Sequence, residues 1–264
     1  MTSACSSTRP GCGSACTCPT PATAEPVDAE RRGFLAGSAA VAVTTLAGGA
    51  MLTLWPESSE AAGADPKKRW GLLIDVSKCA DGCTACVDAC STENGWAKPT
   101  SQTDPQWIRK VTLRNPTTGV TKSAPVMCQH CDNPPCVDVC PTTASFKRAD
   151  GIVLVDKHRC IGCRYCMMAC PYKARSFVHA PLEDQKPHAP RGLGTVEACT
   201  LCTHRVDRGR APACVEACAS AGRAMLFGDV ADPASEIAEA IAARPTTRIR
   251  GDLGFDPGVR YAEL

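Results

Sequence analysis

Aromatic side chains are scarce in this sequence: Phe, Tyr and Trp together make up 5% of it. A core built mainly of large interlocking rings is therefore excluded. Charge of one sign is also missing. The formal balance is +2, and no stretch gathers Lys and Arg into the basic face that nucleic acid demands. No phosphate-cradling loop, nucleophile–base pairing or carboxylate pair stands out, so no catalytic residue is assigned. What the chain has instead is cysteine, 20 residues of it, beside 21 Gly and 21 Pro. Sixteen of the cysteines fall between Cys79 and Cys218, a density that belongs to a disulfide scaffold or to a metal-cluster protein.

Residues 1–64 are expected to be an extension and an export signal. The Ser/Thr/Pro-rich stretch 1–29 is unsuited to packing. Arg31-Arg32-Gly33-Phe34-Leu35 then opens a mildly apolar run to Leu54, and Ala62-Gly63-Ala64 offers a small-residue cleavage site before Asp65. An arginine pair in this position resembles a twin-arginine (Tat) signal. The run is long enough for a membrane span, so a retained anchor is the competing expectation. Cys5, Cys12, Cys16 and Cys18 precede the signal without cluster spacing.

Beyond Asp65, Trp70 to Val76 alternates as a strand. Two hairpins are expected: Trp107–Leu113 with Val120–Val126, and Ser145–Arg148 with Ile152–Val155 around Asp150-Gly151. Arg223–Phe227 reads as a closing strand, Pro233–Ala243 as a short helix after Asp232, and the tail to Leu264 as irregular.

Cys160, Cys163, Cys166 and Cys170 stand at C-x2-C-x2-C-x3-C followed by Pro171, the spacing of bacterial ferredoxins. In that run three thiolates wrap one cubane and the fourth reaches a neighbouring cluster. Three variants accompany it. Cys128, Cys131, Cys136 and Cys140 give C-x2-C-x4-C-x3-C before Pro141; Cys79, Cys83, Cys86 and Cys90 give C-x3-C-x2-C-x3-C. Cys199, Cys202, Cys214 and Cys218 give C-x2-C-x11-C-x3-C. Every group ends in the same C-x3-C step, so one supersecondary unit is repeated. Repeated C-x2-C pairs hold thiols too close along the chain for easy bridging, which argues against disulfides. Structural zinc would take such pairs two at a time, not as three plus one. The reading is four 4Fe-4S clusters, with a 3Fe-4S cluster open at the Cys79 group because of its widened gap. Gly162 is expected to let backbone N–H groups approach the cluster. His130, His158 and His204 flank complete groups and are expected to be solvated or to lie behind the ligands. With about −2 per oxidised cluster, residues 65–264, otherwise +4, would become mildly acidic.

With four groups in this order, residues 68–264 resemble the four-cluster iron-sulfur subunits of respiratory complexes, the family of the DMSO-reductase, polysulfide-reductase and NrfC electron-transfer subunits. The resemblance implies an α+β fold of two bacterial-ferredoxin-like units, each holding two 4Fe-4S clusters, with short hairpins and helices. It implies the sets Cys79, Cys83, Cys86 and Cys218; Cys90, Cys199, Cys202 and Cys214; Cys128, Cys131, Cys136 and Cys170; and Cys140, Cys160, Cys163 and Cys166. Segments are then expected at 65–127 (first group and hairpin), 128–180 (inner unit), 181–228 (fourth group, completing the outer unit) and 229–264 (helix and tail).

Within the family, the phrases W-G-L-L-I-D-V-S-K-C-A-D-G-C-T-A-C-V-D-A-C and A-M-L-F-G-D-V look most like the DsrO type, the periplasmic subunit of the DsrMKJOP complex of dissimilatory sulfur metabolism. This implies an electron carrier without catalysis of its own, held outside the cytoplasm. Its implied partners are an NrfD-like (DsrP-like) quinone-interacting membrane subunit and a multihaem (DsrJ-like) cytochrome. The alternatives are the electron-transfer subunit of a molybdopterin reductase for tetrathionate, polysulfide or DMSO, and an exported zinc-binding interaction module.

Overall fold

In the computed structural model of the protein, residues 64–183 and 185–264 are described. The arginine pair, the apolar run and the four N-terminal cysteines lie outside the described residues.

β1 (Trp70–Asp75) carries Leu72-Leu73-Ile74, an unbroken apolar run that suits a strand covered on both faces. Its side chains alternate between two cores. Leu72 and Ile74 join the large core that contains eight of the cysteines. Leu73 turns the other way, onto Ile237 and Ala262. The sheet has the order β8-β1-β10-β9. β8 (Met225–Asp229) pairs antiparallel with β1, Trp70 facing Asp229, two residues further on than the strand expected at Arg223.

The expectation of an irregular tail is overturned. β10 (Val259–Ala262) runs parallel to β1, Leu72 facing Val259, and β9 (Thr246–Thr247) completes the sheet. Tyr261 is 0% exposed; its OH donates to Pro125 O at 3.2 Å and so ties the C-terminal strand to a hairpin far away in sequence. The helix expected from Pro233 spans Glu236–Ala242 instead. Ser235 caps it by accepting from Ala238 N at 3.2 Å, while Asp232 closes the preceding turn by accepting from Ala234 N.

Three hairpins surround this sheet. β2 (Ile108–Arg114) and β3 (Thr121–Met127) pair within one residue of the expected bounds, and Asn115 Oδ1 accepts from Thr117 N and Thr118 N in the turn. β4 (Ser145–Lys147) pairs with β5 (Val153–Val155). Their turn needs Gly151 on two counts: its φ is +86°, and Arg69 Nη1, donating to Gly151 O at 2.9 Å, occupies the space of a Cβ. β6 (Arg175–Phe177) and β7 (Val196–Ala198) form a third hairpin that the sequence did not announce. Fully buried Glu197 on β7 is held there by Arg191, at 2.7 and 3.0 Å.

The described residues form an α+β fold of short helices and strands and fall in one unit. No helix among them is long and apolar enough to cross a membrane.

Candidate functional site

Short helices place the cysteines. Helix α1 (Ala85–Asn94) carries Cys86 and Cys90 one turn apart on one face, as α4 (Ala213–Ser220) carries Cys214 and Cys218. The helices pack together with Cys86 near Cys218 and Cys90 near Cys214, so they run in opposite directions. Each thus supplies one thiol to each of two clefts. Cys79, Cys83, Cys86 and Cys218 line the first, and Cys90, Cys199, Cys202 and Cys214 the second. Helices α2 (Pro135–Asp138) and α3 (Tyr165–Ala169) repeat the arrangement in the inner half. Cys140, Cys160, Cys163 and Cys166 line a third cleft, and Cys128, Cys131, Cys136 and Cys170 are buried against one another. The unfilled volumes of the three clefts, including the part open to solvent, are alike at ≈ 330, 320 and 290 Å³. All sixteen thiols are free. At the widened first gap, Gly82 takes φ +75° and Cys83 N donates to Ala80 O, which turns the chain back so that Cys83 rejoins its set.

Such packing is hostile to bare thiolates. Burial, and then neighbouring thiols, push Cys128 up to about 12 and Cys131 to about 11. Burial likewise raises Cys90 to about 12 and Cys86 to about 11, and drives Cys199 and Cys214 well above the ordinary thiol value. Cys140 goes the other way: hydrogen bonds from Ser145 N, at 3.4 Å, and from Thr142 outweigh its desolvation. Four thiolates in one dry cleft therefore need a compensating positive core, which is what the irons of a 4Fe-4S cluster supply.

Hydrogen-bond donors surround the sulfurs. Lys110 Nζ donates to Cys79 Sγ at 3.0 Å, Asn94 Nδ2 to Cys90 Sγ at 3.5 Å and Arg175 Nη2 to Cys136 Sγ at 3.1 Å. Trp96 Nε1, facing Cys90, and Tyr172 OH, facing Cys131, are buried with no oxygen or nitrogen to receive them. Orphaned donors aimed at thiols fit a site whose missing acceptors are thiolate and sulfide sulfurs. None of these donors was picked out from the sequence. Their partners lie far off in the chain, apart from Asn94 and Trp96, which follow Cys90 closely. What the structure shows at Gly162 is a close approach: at φ +71° it makes room for the Gly194 carbonyl, only 2.3 Å from where a Cβ would stand.

The histidines divide. His130 is fully buried, and desolvation, then Arg69 and Arg175, hold it down at about 3; its Nδ1 accepts from Val153 N at 3.1 Å, so it is a neutral prop for β5. His204 bonds Glu93 Oε1 at 2.7 Å, while Arg205 takes Oε2 at 2.9 Å. Among the described residues Glu93, His188 and His204 also lie close enough together to hold a metal ion, but Arg205 already neutralises the carboxylate. His158 is exposed.

The chain has relatives among known proteins. Residues 120–230 match the family model of a 4Fe-4S dicluster domain. The chain is 43% identical to an Hdr-like menaquinol oxidoreductase iron-sulfur subunit of Archaeoglobus fulgidus, over 75% of this chain and 84% of that one. It is 40% identical to a tetrathionate reductase subunit of Salmonella typhimurium, over 80% and 78% of the two chains. To protein NrfC of Escherichia coli K12 it is 39% identical, over 72% and 78%. The chain therefore belongs to the family of 4Fe-4S iron-sulfur subunits that transfer electrons within oxidoreductase complexes and leave catalysis to other subunits.

Proposed function

We propose that the chain relays single electrons through four 4Fe-4S clusters between an NrfD/DsrP-like, quinone-interacting membrane subunit and a second redox partner outside the cytoplasm, a DsrJ-like multihaem cytochrome. The observation that carries this reading is the convergence of sixteen free thiols into four sets of four, paired by antiparallel helices. Cys79, Cys83, Cys86 and Cys218 would hold one cluster and Cys90, Cys199, Cys202 and Cys214 the next. Cys128, Cys131, Cys136 and Cys170 would hold the third, and Cys140, Cys160, Cys163 and Cys166 the fourth. When bound, the clusters supply one-electron storage with little change in their ligands. The protein's part is to fix their spacing, exclude water and aim donors at the sulfurs.

Among the described cysteines Cys163 alone is exposed, and Ile161, Arg164, Tyr165 and Met168, its neighbours in the chain, are exposed with it. A surface of apolar side chains and one cation beside an exposed thiol suits a partner that takes or delivers an electron there. Dissimilatory sulfur metabolism and export by the twin-arginine route are part of this proposal. They rest on the DsrO-like phrases and on Arg31-Arg32.

Anaerobically purified full-length protein is expected to be brown and to carry about sixteen iron and sixteen sulfide per chain. A colourless, iron-free or zinc-loaded protein would end the reading. A second reading, service to a molybdopterin reductase, draws support from the 40% identity to the tetrathionate reductase subunit. Affinity purification from the native host separates the two: a multihaem cytochrome in the complex supports the first, a large molybdopterin subunit the second.

A further inference from the structure

Arg175 is 6% exposed, on the β6 strand that follows the last cysteine of the third group. A buried guanidinium is costly unless opposite charge meets it. Its Nη1 donates to Ser145 Oγ at 2.6 Å and its Nη2 to Cys136 Sγ at 3.1 Å. The Nε–H is buried without an acceptor. The groups that act electrostatically on this side chain are Cys136 and Cys128, of one set, and Cys166, of the other. With sixteen neutral thiols this cation would be stranded. With two anionic clusters it would sit between both.

We propose that Arg175 is a positioning charge shared by the two inner clusters, one guanidinium raising both of their reduction potentials. This rests on the reading that Cys128, Cys131, Cys136 and Cys170 and Cys140, Cys160, Cys163 and Cys166 each hold a cluster. Reduction makes each cluster more negative by one charge, from about −2 to about −3. A fixed neighbouring cation favours the more negative state, and burial keeps salt from screening it. The shared position has a second effect. An electron on one cluster repels an electron arriving on the other, and a cation between them offsets that repulsion for both.

Among the described residues the outer pair has no such arrangement. Lys110 serves the Cys79 set alone, from a half-buried position. The Cys90 set has neutral donors in Asn94 and Trp96, and the Glu93 carboxylate bears on Cys202, opposed by Arg205. The cluster on Cys90 is therefore expected to have the lowest potential of the four.

The test uses Arg175→Gln and Arg175→Lys in the full chain, variants that keep a long polar side chain and differ in charge. Iron and sulfide are counted first in wild type; a count near zero there would sink the cluster reading itself and is distinguishable from any result on the variants. Redox titration monitored by electron paramagnetic resonance then follows the midpoints. Arg175→Gln should move two midpoints downward together and leave two unchanged, and Arg175→Lys should stay nearer wild type. A shift of one midpoint only, of none, or of equal size in both variants would overturn the proposal. So would loss of the inner clusters from both variants alike, because the shape of the side chain, not its charge, would then be what matters.

Discussion

Among the described residues two cations, Lys110 and Arg175, donate to cysteine sulfur, and their surroundings set how much each should matter. Lys110 Nζ lies 3.0 Å from Cys79 Sγ and 3.2 Å from Ala80 O, part-exposed on β2. Solvent discounts its charge to about 0.5–1 kcal/mol, which at 59 mV per tenfold is on the order of 20–40 mV. Lys110→Met should therefore lower a single midpoint, that of the cluster on the Cys79 set, by about that amount. Redox titration checks it, and an unmoved midpoint would show that water, not the ammonium, solvates this sulfur. Asp75 is a buried carboxylate of a different kind. Desolvation works to raise its pKa, but hydrogen bonds from Ser77 and the Arg244 guanidinium outweigh it, so the value is lowered. Arg244 Nη1 stands 2.5 Å away and Ser77 Oγ 2.6 Å, in the turn that delivers Cys79. A carboxylate with a depressed folded-state pKa adds stability above its unfolded pKa and loses it as pH falls through the folded value. Asp75→Asn should thus lose clusters faster than wild type in denaturant at neutral pH, and the gap should close as pH drops below about 4. A gap independent of pH would assign the effect to packing.

At the scale of elements, what could be read in the sequence was local and what could not was distant. The Asp150-Gly151 and Asn115–Gly119 turns announced their hairpins because turn chemistry is written in adjacent residues. The spacing of the cysteine groups could be read for the same reason, and Cys79 and Cys83 line one cleft with Cys86 and Cys218 despite the widened gap. β10 was missed because Val259–Ala262 is four residues long and earns its strand state by parallel pairing with β1, near the other end of the described chain. β6 and β7 were missed because a Pro-rich connection separates two strands of three residues each. The donors to sulfur fall in the same class: Lys110 and Arg175 read as ordinary surface charges until the fold brings them to Cys79 and Cys136. Tyr261 tests how much the unannounced strand contributes. Tyr261→Ala should cost about 3–5 kcal/mol, as aromatic truncations in a core do, and Tyr261→Phe, which loses the bond to Pro125 O and the one accepted from Gln129 Nε2, about 1–2 kcal/mol. The rate of cluster bleaching in guanidinium reads both. If the Ala variant bleached no faster than wild type, β10 would be a dispensable edge instead of a wall of the core.

For the molecule as a whole, the question is what replaces the missing aromatic core. The main buried cluster of side chains counts Cys86, Cys90, Cys128, Cys131, Cys170, Cys199, Cys214 and Cys218 among its members, beside Trp96, Trp107, Tyr172 and Tyr261. Burial raises the pKa of Cys90, Cys128, Cys199 and Cys214, so bare thiolates are disfavoured in this interior. Arg175, Trp96 Nε1 and Tyr172 OH also point buried donors at sulfur. Without iron, each unmet donor costs about 1–3 kcal/mol and the guanidinium more. Summed over one domain, those penalties rival the ~5–15 kcal/mol that separates a native domain from its unfolded chain. Metal binding here should therefore be part of folding, as it is in small metal-stapled domains. Removing iron with a chelator under anaerobic reducing conditions should abolish near-ultraviolet circular dichroism and open residues 64–264 to proteolysis, and reconstitution with iron and sulfide should restore both. The sheet around β1 carries its own apolar contacts through Leu73, Ile237 and Ala262, so protection surviving anywhere is expected there first. An iron-free chain that kept its full protection from protease would mean that side-chain packing closes the clefts unaided, and that the donors facing sulfur are satisfied some other way.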